Sequence, residues 1–546
     1  MINIHQKFCK EIFYDGKLIN FEPVYDDTFN FAYDVVDKIA EKTPNRRAML
    51  WCNDKGEEHT FTFKNISDYS NMAANMFISL GIKSGDKVML VLKRHYQFWF
   101  TILALHKIGA IAVPAVNQLT EKDFLYRFET AKINAIVCTT DGNVINDAQA
   151  AIDKYCDLKV ALSVKGKKKN WICFDSEIKK YSSKFKRLNT KCTDPMLLYF
   201  TSGTTGMPKI VCHDFTYPIA HIVTAKYWQD VVPGGLHLTI SDTGWLKSMW
   251  GKLYGQWFME AGIFVCDFDR FKPSNLLPLF SKYKITTFCA PPTMLRFFIK
   301  ESLEKYDLSS LNCVTIAGEA LSPEIFNKFY KITGMKLMEG FGQSETTAIL
   351  FNPVGISPKP GSMGKFSPAY NVDIIDSNGN SVDPGEIGEI VIRTNKGKQC
   401  GLFIGYYKDS EKTQSVWSDN VYHTGDTAWK DEEGYVWYVG RIDDIIKSSG
   451  YRIGPFEVES VLLEHPSVLE CAVTGTPDII RGQVVKATIV LSKGFSPSEE
   501  LKKDIQNYVK IQTAPYKYPR VIDFVDSLPR TATGKIRRTS IRDNLS

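Results

Sequence analysis

The sequence predicts an α/β protein: a large N-terminal domain of parallel α/β units with a small antiparallel, barrel-like part, followed by a small α+β C-terminal domain. Three observations carry this. Short apolar runs alternate with helix-like stretches up to about residue 370, short strands with Gly-rich turns come next, and the last segment has apolar runs of its own. At 546 residues the chain is several times the ~150 residues expected of one domain, so two or more cores fit.

In order, VMLVL at 88–92 reads as a strand, 96–107 as a helix, and AIAVPA at 110–115 and AIVC at 135–138 as further strands. Strand, helix, strand at this spacing is a parallel unit. ITTFCAPP at 285–292 and CVTIAGEA at 313–320 repeat the pattern, each ending in Pro or Gly where the strand opens into a loop. Open α/β sheets bind ligands at that edge. From 371 onward, VDIID, SNGN, DPGEIGEIVIR and EEGYVWYVGR read as antiparallel strands and turns. Ile442-Asp443-Asp444 then precedes a helix-like 455–463 and a strand candidate, CAVTGTP. The expected division is therefore 1–441, a link at 442–444, and 445–546.

Composition narrows the function class. Hydrophobic residues at 44%, aromatic at 12% and charged at 23% are those of a folded globular chain. Lys+Arg 67 against Asp+Glu 61 leaves +6, too thin an excess to call for nucleic acid. The twelve cysteines show neither a CxxC pair nor a Cys/His cluster, so no disulfide framework or zinc site is expected. The apolar stretch 98–113 is interrupted by His106, Lys107 and Gly109, short of the ~20 apolar residues a spanning helix needs. The start, MINIHQKFCKEIFYDGK, lacks a signal-like apolar region, which gives a cytoplasmic expectation; homo-oligomerisation stays open.

The most informative segment runs from the strand-like Leu197-Leu198-Tyr199-Phe200 into a loop of Thr201, Ser202, Gly203, Thr204, Thr205, Gly206, Met207, Pro208 and Lys209. Glycines let backbone N–H groups turn toward an anion, hydroxyls add donors, and Lys209 brings a charge, so a polyphosphate is the natural ligand. It is not a Walker A loop, because Pro208 precedes the lysine and Ile210 comes after it.

This segment resembles the signature of the adenylate-forming superfamily of acyl-CoA synthetases, peptide-synthetase adenylation domains and luciferases. Further motifs appear in that superfamily's order: Ala317-Gly318-Glu319-Ala320, Glu339-Gly340-Phe341-Gly342-Gln343-Ser344-Glu345-Thr346, Tyr422-His423-Thr424-Gly425-Asp426, Gly440-Arg441-Ile442-Asp443-Asp444 and Thr533-Gly534-Lys535. The resemblance implies ATP, Mg2+ and CoA as cofactors and cosubstrate. Glu345 would hold the magnesium ion and Ser344 would touch the α-phosphate. Asp426 and Arg441 would bind the ribose, while Gly318, Glu319, Ala320, Glu339, Gly340, Phe341, Gly342 and Gln343 would surround the nucleotide. Lys535 would bridge the acid and the α-phosphate.

The same resemblance implies two steps. A carboxylate attacks the α-phosphorus, releasing pyrophosphate; then a CoA thiol attacks the acyl-adenylate, releasing AMP. Between them a mobile C-terminal domain would rotate about Asp443, withdrawing Lys535 and presenting Ser449, Gly450, Tyr451 and Arg452, with Arg452, Arg481 and Lys517 candidates for the nucleotide end of CoA. Chain-wide texture, with Ser241-Asp242-Thr243-Gly244-Trp245 and APYKYPR at 514–520, resembles the medium-chain acyl-CoA synthetase branch. Acetate-specific relatives place Trp where this chain has Gly342, so glycine is expected to leave room for a longer acid. C4 to C10 acids and benzoate-like acids remain open, as does a carrier protein as acyl acceptor.

Overall fold

The computed structural model describes residues 2–201, 208–395, 397–449, 451–530 and 536–543. Besides a two-stranded hairpin, Cys9–Tyr14 with Lys17–Pro23, two large sheets pack against each other through the first 441 residues. The first has eight strands in the order Gly405–Tyr406, Lys209–Asp214, Pro195–Thr201, Ile111–Pro114, Lys87–Val91, Ala135–Thr139, Val160–Val164 and Ile172–Cys173. Its centre is parallel, as the alternating pattern predicts. Lys209–Asp214 instead runs antiparallel to Pro195–Thr201, so the phosphate-loop segment joins two paired strands.

The second sheet has a parallel part, in the order Arg47–Asn53, Gly262–Asp267, Leu236–Thr239, Thr287–Ala290, Cys313–Ile316 and Leu337–Gly342. Leu337–Gly342 then takes an antiparallel neighbour, Ala348–Phe351, and the sheet continues through Ser362–Phe366, Val436–Arg441, Val421–Lys430, Gly388–Arg393 and Val372–Ile375. The antiparallel part thus begins at Ala348, before the change of texture at 371, and is fused edge-on to the parallel sheet. One strand that pairs both ways makes that fusion, and apolar runs alone do not reveal strand direction.

The largest apolar cluster lies between the two sheets, with Val88 and Leu90 from one and Ile263 and Val265 from the other. The helix Gln97–Ile108 runs through this core and is buried on every side, including Lys107. A helix can be apolar all round only when it is enclosed, and the Lys107 ammonium is held by Asp37, Ser70 and Asn71 at 2.8, 2.9 and 2.6 Å.

A third sheet, Tyr451–Ile453, Ile446–Ser448, Gly482–Leu491 and Val468–Asp478 with Val521–Phe524 alongside, packs its own core against the helices Pro455–Leu462 and Glu499–Gln512. The molecule is an α/β fold with a large N-terminal and a small C-terminal domain. Among the described residues no helix is long and apolar enough to cross a membrane.

Candidate functional site

The site collects on the carboxyl-end loops of the two sheets. Thr201 and Lys209 are register partners at the mouth of the phosphate-loop segment, whose Ser202, Gly203, Thr204, Thr205 and Gly206 lie outside the described residues. Lys209 Nζ sits 4.9 Å over the Tyr406 ring, which the edge strand Gly405–Tyr406 brings alongside Lys209–Asp214. Burial pulls the Lys209 pKa down, opposed by the charge of Glu345. The charges of Arg441 and Asp443 also reach this ammonium, so motifs more than 200 residues apart in sequence meet here.

Glu345 stands on the loop between Leu337–Gly342 and Ala348–Phe351. Its Oε1 accepts the Tyr406 hydroxyl at 2.8 Å, and its Oε2 takes no hydrogen bond among the described residues. One carboxylate oxygen held in place and a second turned loose suits an Mg2+ ion that takes the rest of its ligands from phosphates and water. The half-buried Ser344 is fixed through its backbone: His213 Nε2 donates to its carbonyl at 2.7 Å. Burial drops the His213 pKa to about 4, so the imidazole is neutral at ordinary pH and this bond sets its tautomer.

Asp426 and Arg441 are register partners on adjacent antiparallel strands, which puts side chains fifteen positions apart face to face. Asp426 is 4% exposed and accepts, among other contacts, the Tyr438 hydroxyl at 3.0 Å on Oδ1, and Gln343 Nε2 at 2.5 Å and Arg441 Nη1 at 3.3 Å on Oδ2. Arg441 Nη1 also donates to the Thr424 carbonyl at 2.8 Å. Burial works against its charge, but Asp426, Tyr438 and Asp443 together outweigh it and the guanidinium pKa rises. Gly425, just before Asp426, has φ +70°, the left-handed conformation that favours glycine, and a Cβ there would lie 2.8 Å from Arg441 Nη2 and push that guanidinium aside. Gln343 ties the halves together, accepting the Tyr422 hydroxyl at 2.7 Å while donating to Thr424 and Asp426.

Gly318, Glu319 and Ala320 come after the strand Cys313–Ile316 on an open loop, where Glu319 accepts Thr293 Oγ1 at 2.7 Å. Phe341 faces Tyr438 at 6.1 Å between ring centres. Glu339 takes a different place from its motif neighbours. It is 3% exposed, behind that loop, and its Oε1 accepts the Leu321 N–H at 3.0 Å. Burial lifts its pKa to about 8.

Gly340 and Gly342 do not open onto empty space. A Cβ on Gly340 would meet the Trp228 ring at 2.6 Å, and one on Gly342 would meet Trp250 Cη2 at 2.6 Å and the Thr347 carbonyl at 2.2 Å. The room expected from Gly342 is thus taken up by an indole from the helix Lys247–Gly251, a neighbour that sequence separation hides.

In the C-terminal domain, Ser449 has φ +50° and its N–H donates to the Arg481 carbonyl at 3.0 Å. Tyr451 stacks on Tyr516 at 4.1 Å, and the neighbouring Lys517 is ion-paired with Glu457 at 2.5 Å. Ser449, Tyr451, Arg481 and Lys517 share one sheet and its flanking loop. Arg452 pairs through its backbone with Lys447, and Gly450 lies outside the described residues. So does Lys535; the next helix, Arg538–Asp543, is held by Arg538 on Glu459 at 2.7 and 2.8 Å. Arg542 donates to the Asp443 carbonyl at 3.0 Å, so the expected hinge residue is already bound to this helix.

Comparison with known proteins agrees with these motifs. The AMP-binding enzyme family matches residues 36–407, well over half of the chain. The chain belongs to the AMP-binding enzyme family. The AMP-binding enzyme C-terminal domain matches 457–535. The family member is 39% identical over 541 residues to the acyl-coenzyme A synthetase ACSM3, mitochondrial, of Pongo abelii, covering 97% of this chain and 92% of that one. It is 40% identical to the acyl-coenzyme A synthetase ACSM4, mitochondrial, of Homo sapiens, covering 94% and 90%. Among solved structures, the anthranilate CoA ligase AuaEII in complex with anthranoyl-AMP superposes with a TM-score of 0.86 at 27% identity, covering 95% of this chain and 98% of that one.

Tyr406, Tyr438, His213 and Trp250 were not singled out from the sequence. Tyr406 lies in a two-residue edge strand and acts across a sheet; Tyr438 stands three residues before Arg441, a spacing that strict alternation puts on the other face, and a register shift in this strand pair accompanies its contact with Asp426.

Proposed function

We propose that the chain is an AMP-forming acyl-CoA synthetase that activates a carboxylic acid with Mg-ATP and passes the acyl group to CoA. The observation that carries this is one connected set. Glu345 and Lys209 meet at Tyr406 on the phosphate side, and Gln343, two residues from Glu345, is bonded to the Asp426–Arg441 pair on the ribose side. Adenylate chemistry needs such a set, because the acid must attack phosphorus while the triphosphate is clamped at both ends. When bound, the magnesium ion neutralises charge on the departing pyrophosphate. Lys209 and Glu345 orient that end, and Asp426 holds the ribose hydroxyls. AMP formation that requires an acid, Mg-ATP and CoA together tests the reading; pyrophosphate exchange without CoA turnover would replace CoA with a carrier-protein acceptor.

The division at 442–444, with Asp443 as hinge and Ser449, Gly450, Tyr451, Arg452, Arg481 and Lys517 as the CoA side, belongs to this proposal. It is supported by a third sheet that starts at Ile446 and a family match that starts at 457. For Lys517 to meet a phosphate it must exchange Glu457 for it. The cytoplasmic placement is part of the same reading, supported by twelve free thiols that suit a reducing compartment. Since the relatives are named mitochondrial, fractionation of cells decides it. Homo-oligomerisation is measured by sedimentation.

The acid is proposed to be of medium length, in a pocket that Trp250 bounds. Trp250 is 6% exposed, lies edge-on to Trp228 at 6.2 Å, and sits against Gly342. Trp250→Ala is expected to raise the ratio of kcat/KM for a long acid over a short one by roughly 10-fold, since a few methylenes in an apolar pocket carry about 1–3 kcal/mol each. The ratio is insensitive to folded fraction, so the stability loss from a core truncation does not confuse it. An unchanged chain-length profile would remove Trp250 from the pocket.

Glu339 gives a pH prediction. Its native carboxyl holds a proton from its ordinary 4.5 up to about 8, where the unfolded chain has released it, so stability falls as pH rises across that window. Glu339→Gln keeps the acceptor for the Leu321 N–H and removes the titration. Its melting temperature should fall less than that of the parent between about pH 5 and 8; parallel curves would refute the assignment.

A further inference from the structure

Cys52 and Cys266 lie at the carboxyl ends of Arg47–Asn53 and Gly262–Asp267, adjacent parallel strands of the second sheet. They are register partners. Both side chains point to the face that Leu50 and Phe264, two residues earlier on each strand, give to the apolar cluster beneath. Neighbouring strands stand about 4.8 Å apart. That spacing falls within the roughly 4.4–6.8 Å between Cα atoms that a disulfide spans.

The two thiols are neighbours with unequal exposure: Cys266 is half-buried and Cys52 is buried. Their mutual influence favours the thiolate at Cys266 and disfavours it at Cys52, and the charges of Arg94 and Lys252 favour it further at Cys266. Lys252 is fully buried, donates to the Ser241 carbonyl at 2.7 Å, and is pulled by burial to a pKa of about 7. The pair also has access. Both cysteines line a cavity of about 400 Å³ whose lining also holds the cations Arg270, Lys272 and Lys282 and the carboxylates Asp54 and Glu58, Glu58 being paired with Lys282. Apolar walls from Phe268 and Phe271 complete it. A small molecule with carboxylates and a sulfur centre fits that lining.

We propose that Cys52 and Cys266 form a thiol–disulfide exchange site for small anionic disulfides, with Cys266 attacking and Cys52 resolving. The Cys266 sulfur bonds to one sulfur of the small disulfide and expels the other half as a thiolate, which takes a proton. The Cys52 sulfur then attacks the Cys266 sulfur, expels the second half, and leaves a Cys52–Cys266 disulfide. Two protein thiols lose two electrons and two protons, and the small disulfide gains both. None of the residues that line this cavity is among those assigned to the nucleotide.

The probe is oxidised glutathione on the full chain, read by intact mass and by digestion without reductant. The expected result is a loss of two hydrogens, with the Cys52 peptide joined to the Cys266 peptide. Cys52→Ser should stop at a stable glutathione adduct on Cys266, and Cys266→Ser should give neither the link nor an adduct on Cys52. Cys156, the one cysteine of the twelve that is exposed, is the internal control for accessibility alone. Adducts on Cys156 with no Cys52–Cys266 link in the parent protein would overturn the proposal, and so would an adduct on Cys52 that persists in Cys266→Ser. The parent measurement stands even if a serine variant fails to fold.

Discussion

Replacing Lys535 with alanine is expected to lower acid-dependent pyrophosphate release by roughly 10²-fold or more, while thioester formation from supplied acyl-adenylate stays within about 2-fold of the parent. The reason is electrostatic. An acid and an α-phosphate are both anionic, and they come within bonding distance only if a cation sits between them; the mixed anhydride gains from that cation again as charge builds in the transition state. Attack by a thiol on a neutral acyl carbonyl has no such requirement. The neighbouring helix indicates how this lysine would be carried. Arg538, three residues on in sequence, is clamped to Glu459 by two short bonds, so the helix it opens would move with the C-terminal domain in a rotation. Arg542, on the same helix, grips the Asp443 carbonyl and the Asp444 carboxylate, so rotation at Asp443 must remake those bonds. Both half-reactions are assayed on one preparation. Equal losses in the two would refute a lysine that serves only the first, and a stopped adenylation step with intact thioesterification is what the proposal requires.

The parallel strands and their order of appearance were legible because each is local: an apolar run closed by a Gly or Pro stop. Asp426 and Arg441 were legible as a pair only through the motifs they stand in, although their fifteen-residue separation across one hairpin is what makes them register partners. The contacts that complete the site are between elements remote in sequence, and composition carries no record of them. Tyr406 reaches Glu345 from a different sheet. His213 reaches the Ser344 carbonyl across 131 positions. Gly342 shows the limit most sharply: a missing side chain predicts space, but Trp250 and the Thr347 carbonyl close on it. Glu339 stands among nucleotide-loop residues in the motif, yet alternation along its strand turns its carboxyl inward to Leu321.

Replacing Asp426 with alanine should raise the KM for ATP by roughly 10–100-fold and abolish discrimination between ATP and its 2′,3′-dideoxy analogue, with the KM values for acid and CoA moving far less. In the parent, a buried carboxylate that accepts from Tyr438, Gln343 and Arg441 would exchange some of these donors for the two hydroxyls of a vicinal diol, and its charge makes bonds to it stronger than neutral ones. A nucleotide lacking both hydroxyls leaves that carboxylate buried without them, which is why the parent should reject it. Once the carboxylate is gone, the hydroxyls have nothing to gain. The comparison forms a double-mutant cycle between one side chain and two ligand atoms, and the coupling is read as a ratio of ratios that is unaffected by how much of the variant is folded. Tyr438→Phe is the companion variant: it frees one lone pair of Oδ1 without touching charge, and should leave the discrimination in place. If Asp426→Ala rejects the dideoxy nucleotide as strongly as the parent does, Asp426 is a structural partner of Arg441 and Tyr438, and the ribose is read elsewhere.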